Sequence, residues 1–479
     1  MWLSWLTTWI TITQVNHASQ AGQPERALDY LRRAAERAAR AGALRQAAAL
    51  LGQAIQIAEG LGRQNLVADM LAQRARHYFS VGLWLEARQD LLKLLDILPP
   101  EEVEQRAAAH LDLAQTYVVV LQTKELRSHS EKALELAEGI GRDDLAAAAL
   151  ANLSVAVSSD GDPRASVGLF ERAVQRAHGR LSGPTLAHTF QVIILYWLGH
   201  FEQAVAQAEQ ARQQVHGDIS VQLPLYGNFG VALTGLGRYA EAEQVFSEGN
   251  RLGREYEVWP YVARTTALSA GYHLDLFDYA TNEILAQEAR QLARQTNFMS
   301  PLVSATLDLL FNYARTGEVG KAERLIPEVA EALPGASGFH EWLWQLRFLQ
   351  AQAEIALARG EHEEALRLSG QALEQSRLRG RPKYEAFALE TRARALAASG
   401  LAREAITEVR RAVEVARPTG DPAMFFHAGS ELLRLHQDEV IAQETLAAAQ
   451  KILAALPQGE MRLRFQESES FQFLQNLSR

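Results

Sequence analysis

Apolar positions return along this chain at helical spacing, and the helical stretches themselves return at a fixed interval. Residues 235–246, GLGRYAEAEQVF, show the unit: a glycine, then Tyr239, Ala242 and Phe246 at offsets of two, five and nine from Gly237. The same offsets recur as Gly82/Trp84/Ala87/Leu91, Gly199/Phe201/Ala204/Ala208, Gly317/Val319/Ala322/Ile326, Gly360/His362/Ala365/Ser369 and Gly400/Ala402/Ala405/Val409. A weaker copy stands at Gly161/Pro163/Ser166/Phe170, and at Leu126 and Asn282 only the helical phase survives. With the small-residue slot as a ruler, Ala47, Ala87, Leu126, Ser166, Ala204, Ala242, Asn282, Ala322, Ala365 and Ala405 follow one another at intervals of 38 to 43 residues. Such a period is the signature of a repeat architecture.

Each interval holds two amphipathic stretches. Tyr226, Phe229, Gly230 and Leu233 form one apolar stripe, and Ala242 and Phe246 lie on the next. Between them Gly237 ends the first helix and permits a left-handed residue. Tyr239 then plugs the turn, and Ala242 lets the two helices approach. The pattern predicts an all-α fold: a right-handed α-solenoid of about eleven helix hairpins with a ~40-residue period, in which neighbours supply the core that no single hairpin buries alone.

Tyr226, Phe229, Gly230, Leu233, Gly237, Tyr239, Ala242 and Phe246 resemble the tetratricopeptide consensus slot by slot. The period here exceeds that family's usual 34 residues, which implies longer helices. Long repeats of this kind are similar to the sensor arms of STAND-class signal-transduction ATPases, the maltose-regulator-like activators and the ATPase-linked cyclases and kinases. Residues 17–55, HASQAGQPERALDYLRRAAERAARAGALRQAAALLGQAI, resemble the junction where such arms leave the ATPase core, and residues 454–474, AALPQGEMRLRFQESESFQFL, resemble the end of an arm. The effector parts have no counterpart. There is no G-x-x-x-x-G-K-[ST] phosphate loop, and in TGEVGKAE (316–323) Gly317 and Lys321 occupy a hairpin turn. The expected organisation is an amphipathic tryptophan-rich helix at 1–16 (MWLSWLTTWITIT and the residues after it), a repeat superhelix at 17–456 and a capping segment at 457–479.

Composition narrows the function. A net charge of −9 argues against a broad nucleic-acid or anionic-membrane footprint. The absence of cysteine excludes disulfides, thiolate metal sites and cysteine nucleophiles. The basic stretch SRLRGRPKYE, with Arg377, Arg379, Arg381 and Lys383, reads as a solvated loop between helices. None of the 13 histidines is paired at i,i+3 or i,i+4 spacing, and HEWLW (340) and HEEAL (362) both miss the H-E-x-x-H zinc pattern. No G-x-S-x-G elbow or dinucleotide loop is present. The expectation is a protein with no enzymatic activity, no cofactor and no metal, located in the cytoplasm.

Binding remains. The resemblance implies that the first helix of each hairpin lines a concave groove through slots 2, 5, 9, 12 and 13. Those slots hold Arg76, Phe79, Gln115, Val155, Ile193, Tyr196 and Trp197, then Asn228 in the flanking slot 6, Val231, Thr234, Leu307, Phe311, Arg315, Arg347, Gln350, Glu354, Glu390 and Arg394. The lysine and asparagine that clamp C-terminal carboxylates in chaperone-binding relatives are missing. Aromatic residues crowd between 186 and 350, and Tyr196, Trp197 and Phe311 take groove phase there. Together with Asn228, Arg315, Arg347, Gln350 and Glu354 they form the candidate groove, suited to an apolar peptide helix or to a stacked sugar or nucleotide-like ligand. Two functions fit this picture. One is an interaction scaffold in signalling or regulation, docking a protein partner or peptide and no nucleic acid or membrane. The other is the ligand-sensing arm of a STAND-type switch that responds to a small-molecule effector, its core missing or separately encoded.

Overall fold

A computed structural model describes residues 22–119, 122–177, 186–215, 218–335 and 340–477. The helix expected at 1–16 lies outside the described residues. Within them the chain is a succession of α-helices with no strand. Eleven hairpins run from Pro24–Arg40 with Leu44–Gly60 to Pro422–Leu435 with Glu439–Ala455, followed by the short helices Glu460–Glu467 and Glu469–Leu477. The architecture is a tetratricopeptide-like solenoid of long hairpins.

The hairpin of Ile219–Gly235 and Tyr239–Glu255 shows how the repeat unit is built. Gly237, at φ +74°, closes the first helix: its N–H bonds to the Thr234 carbonyl at 2.9 Å, and the Arg238 N–H bonds to the Leu233 carbonyl at 3.0 Å. This double bond pattern satisfies carbonyls that the helix end would leave open. Tyr239, Ala242 and Phe246 are all buried beneath the turn. Gly230 gives the crossing its closeness, since a Cβ there would stand 2.4 Å from the Phe246 ring.

All ten positions of the sequence ruler, from Ala47 to Ala405, are 0% exposed. The polar members are not exceptions to the packing. Asn282 donates to the Ala270 carbonyl at 2.8 Å and accepts from the Asn312 side chain at 2.7 Å. In that same hairpin no glycine follows the first helix, and Phe277 takes the left-handed conformation at φ 63°. A bulky residue there is strained. Phe277 is held by stacking on His427, 4.4 Å between ring centres, and by edge contact with Phe426 at 6.0 Å.

These last contacts cross between distant hairpins, and a regular set of turn contacts does the same. The turn at Gly82 abuts Val258 and Pro260, Gly199 abuts Pro382, and Gly237 abuts Pro422. In each case the partner is at the start of the hairpin five places further along. Trp342 Nε1 donates to the Ser158 carbonyl at 2.9 Å, and Arg379 Nη1 donates to the Gly161 carbonyl at 2.6 Å, with the same offset. The superhelix therefore winds tightly enough for each turn to rest on the last. Among the described residues no helix is long and apolar enough to cross a membrane.

Candidate functional site

Because successive turns touch, the first helices of the hairpins face one another across a narrow interior. The slots read from the sequence fall into three cavities there. Arg76, Phe79 and Gln115 line one of about 220 Å³ near the N-terminal end. Glu390, Arg394 and Arg315 line a polar one of about 600 Å³ near the C-terminal end. The third, of about 150 Å³, collects Ile193, Tyr196, Trp197, Val231, Thr234, Phe311, Arg315 and Arg347. Its wall comes from six successive hairpins, the fifth to the tenth.

Not every candidate residue reaches that central cavity. Asn228 is fully buried behind it, donating to the Thr189 carbonyl at 2.6 Å and accepting from Arg264 Nη2 at 2.8 Å. Gln350 is tied to the Phe387 carbonyl at 3.2 Å and to Thr391 Oγ1 at 2.9 Å. Glu354 receives two bonds from Arg315, at 2.8 and 3.0 Å. These three join one hairpin to the next. Val155 and Leu307 are buried and line none of the three cavities.

The central cavity also contains residues the slot reading missed. Arg264, Gly271 and Asp275 come from the helix Trp259–Asp275, whose hairpin has lost its turn glycine and with it the marker that sets the slot register. Arg381 and Lys383 come from SRLRGRPKYE. That stretch is not a solvated loop. Arg381 is 3% exposed, Lys383 is half-buried in an ion pair with Asp275, and Arg379 crosses to Gly161, although Arg377 is exposed beside Glu385 as expected. The reason is the contact between turns, which covers a segment that composition alone would leave in water.

The electrostatics of the cavity follow from its pairs. Arg347 Nη2 donates to Asp308 Oδ1 at 2.5 Å, and Arg347 Nη1 to Ser304 Oγ at 2.9 Å. Burial pushes the Asp308 carboxyl up to about 6 against the pull of Arg347. Burial opposes the charge on Lys383, but Asp275 outweighs it and the ammonium is held above its ordinary range. Arg381 has no carboxylate partner among the described residues; it stands over the rings of Trp197 at 5.7 Å and Tyr384 at 5.3 Å, and burial lowers it to about 10. The Trp197 ring meets His340 edge-on with centres 4.5 Å apart. His340 is itself left-handed, at φ 63°, where it starts the helix Glu341–Ala358. The arrangement supplies aromatic faces and fixed positive charge in one cavity. Among the described residues no group of three or more histidines and carboxylates could hold a metal.

No family model matches this sequence, and no curated protein matches it. Similar solved structures exist. A crystal structure of the APC/C hetero-tetramer Cut9–Hcn1 is 12% identical, covers 96% of this chain and 95% of its own, and has a TM-score of 0.45. A Rap protein complexed with competence and sporulation factor is 12% identical, covers 75% of this chain and 100% of its own, and has a TM-score of 0.48.

Proposed function

We propose that this protein is a non-catalytic interaction module of the tetratricopeptide-like kind, a scaffold in signalling or regulation that takes a short segment of a protein partner or a peptide into the interior of its superhelix. The observation that carries this reading is the central cavity, where Trp197, Phe311, Trp344 and Phe387 converge with basic side chains from hairpins far apart in the chain. Aromatic and arginine side chains in a pocket are the groups that dominate recognition energies. Tyr196, Trp197, Phe311, Arg315 and Arg347 are its contact residues in this reading. Asn228, Gln350 and Glu354 hold the helices that present them.

The test uses a random peptide library displayed against the intact protein and against Gly271→Leu. Gly271 lines the cavity on a helix of ordinary handedness, and a Cβ there meets only Asp308 Oδ2, at 3.6 Å. Leucine at this position fills the space and raises helix propensity. Peptides enriched by the wild type and lost by Gly271→Leu at unchanged helicity support the reading. Equal enrichment by both proteins, or none by the wild type, counts against it.

A second reading is the sensor arm of a STAND-type switch. It is favoured by the position of Lys383–Asp275 and Trp342–Ser158, which tie hairpins far apart in the chain together, with Lys383 and Asp275 in the cavity wall. An occupant that displaced these contacts would change the pitch of the arm. A separately encoded phosphate-loop ATPase that binds this chain would favour it.

A further inference from the structure

The charges in the central cavity do not cancel. Five cations line it or its edge: Arg264, Arg315, Arg347, Arg381 and Lys383. Three of them are taken, Arg315 by Glu354, Arg347 by Asp308 and Lys383 by Asp275. Arg264 and Arg381 have no carboxylate partner among the described residues. Arg264 bonds only to neutral acceptors, Asn228 Oδ1 at 2.8 Å and the Pro224 carbonyl at 3.5 Å. Arg381 is almost fully buried, and its Nε has no hydrogen-bond partner. A buried guanidinium left in this state is costly, because burial removes hydration and no anion takes its place. Both arginines line the cavity, and Arg381 stands over the Trp197 ring at 5.7 Å, which marks one end of it.

We infer that this end of the cavity takes the carboxylate of a ligand whose adjoining apolar group is the size of one aromatic ring, as at the free C-terminus of a peptide ending in a large apolar residue. The carboxylate would lie between Arg264 and Arg381, and the ring against Trp197 and Trp344. The size follows from the volume, since about 150 Å³ is the scale of space that accommodates a benzene ring. The charge follows from the two guanidinium groups, whose planar donors match a carboxylate. This inference rests on the interior-binding reading above and specifies which end of the peptide enters.

Binding of N-acetyl-phenylalanine, of its C-terminal amide and of inorganic phosphate to the full chain tests it by thermal shift and calorimetry. The acid binds about tenfold or more tightly than the amide, as charge-assisted bonds to arginine require. Arg381→Gln and Arg264→Gln each abolish that preference, and Arg381→Lys retains part of it. Equal affinity for acid and amide in the wild type, or binding of neither, overturns the inference without recourse to any variant. Phosphate binding as tightly as the acid overturns it too, since the ring would then contribute nothing. A peptide library that still yields Gly271-sensitive binders while the acid fails leaves interior binding standing and removes only the carboxylate. The converse result, acid bound and no peptide enriched, confines the site to small acids.

Discussion

Gly237 and Pro422 are in contact across one turn of the superhelix: a Cβ on the glycine would lie 2.7 Å from the proline Cγ. The glycine therefore has two reasons to be there, its left-handed backbone and its neighbour. Gly317 has only the first, with φ +76° and nothing within 4 Å of a Cβ. Gly317→Ala should cost about 1–2 kcal/mol for the backbone alone. Gly237→Ala should cost more, because the ring of Pro422 must also move. Thermal melting of the two variants side by side checks this, and equal losses would mean that successive turns do not rest on each other.

Arg315 and Glu354, both read from the sequence as groove residues, bond to each other, and of the two only Arg315 also lines the central cavity. Removing one member of a buried pair strands the other charge, at about 3–5 kcal/mol. Arg315→Met should destabilise the protein by that order, and the double variant Arg315→Met/Glu354→Met should recover most of the loss. Denaturant unfolding of the two single variants and the double measures the coupling. Additive losses would contradict the pairing.

Glu390 predicts the pH dependence of stability. Burial raises its carboxyl to about 8; Arg394 and Arg315 oppose the shift, and Glu431 and Glu354 add to it. Its folded pKa lies above its unfolded value, so the stabilisation is complete below about 4.5 and is lost as pH rises through about 8. Asp308 and Asp421, raised to about 6 chiefly by burial, complete their contribution at lower pH. Melting temperatures of wild type and Glu390→Gln should therefore diverge between about pH 4.5 and pH 8, the wild type losing more stability than the variant as pH rises. Parallel curves over that window would place Glu390 in contact with water.

Trp197 and Phe311 are 5% and 2% exposed, so their alanine variants test folding before they test binding. Each truncation should cost about 3–5 kcal/mol. Trp197→Phe keeps a ring and most of the volume; it should preserve the melting temperature to within a few degrees while weakening any ligand that stacks on the indole. If Trp197→Ala melts like the wild type, the ring is not part of the packed interior.

What the sequence made legible was whatever repeats locally. The ruler positions, the turn glycines and the pairing of helices within a hairpin depend on residues a few places apart, and the structure buries all ten ruler positions completely. What it hid was the return of the superhelix upon itself. Asp275 meets Lys383, and Ser158 meets Trp342, through a winding that no local pattern records. For that reason Arg381 and Lys383 read as solvated, and Arg264 and Asp275 went unnoticed in a hairpin where Phe277 replaces the turn glycine.

Hydrogen exchange measured with and without a library-selected peptide tests the interior site most directly. Binding should protect Leu186–Trp197, Ile219–Gly235, Trp259–Asp275, Met299–Arg315, Glu341–Ala358 and Pro382–Ala398 together, because side chains of all six helices line one cavity. The second helices of the same hairpins, such as Phe201–Gln214 and Tyr279–Gln295, should change little. Protection confined to those second helices, or to a single hairpin, would contradict an occupant held in the interior of the superhelix.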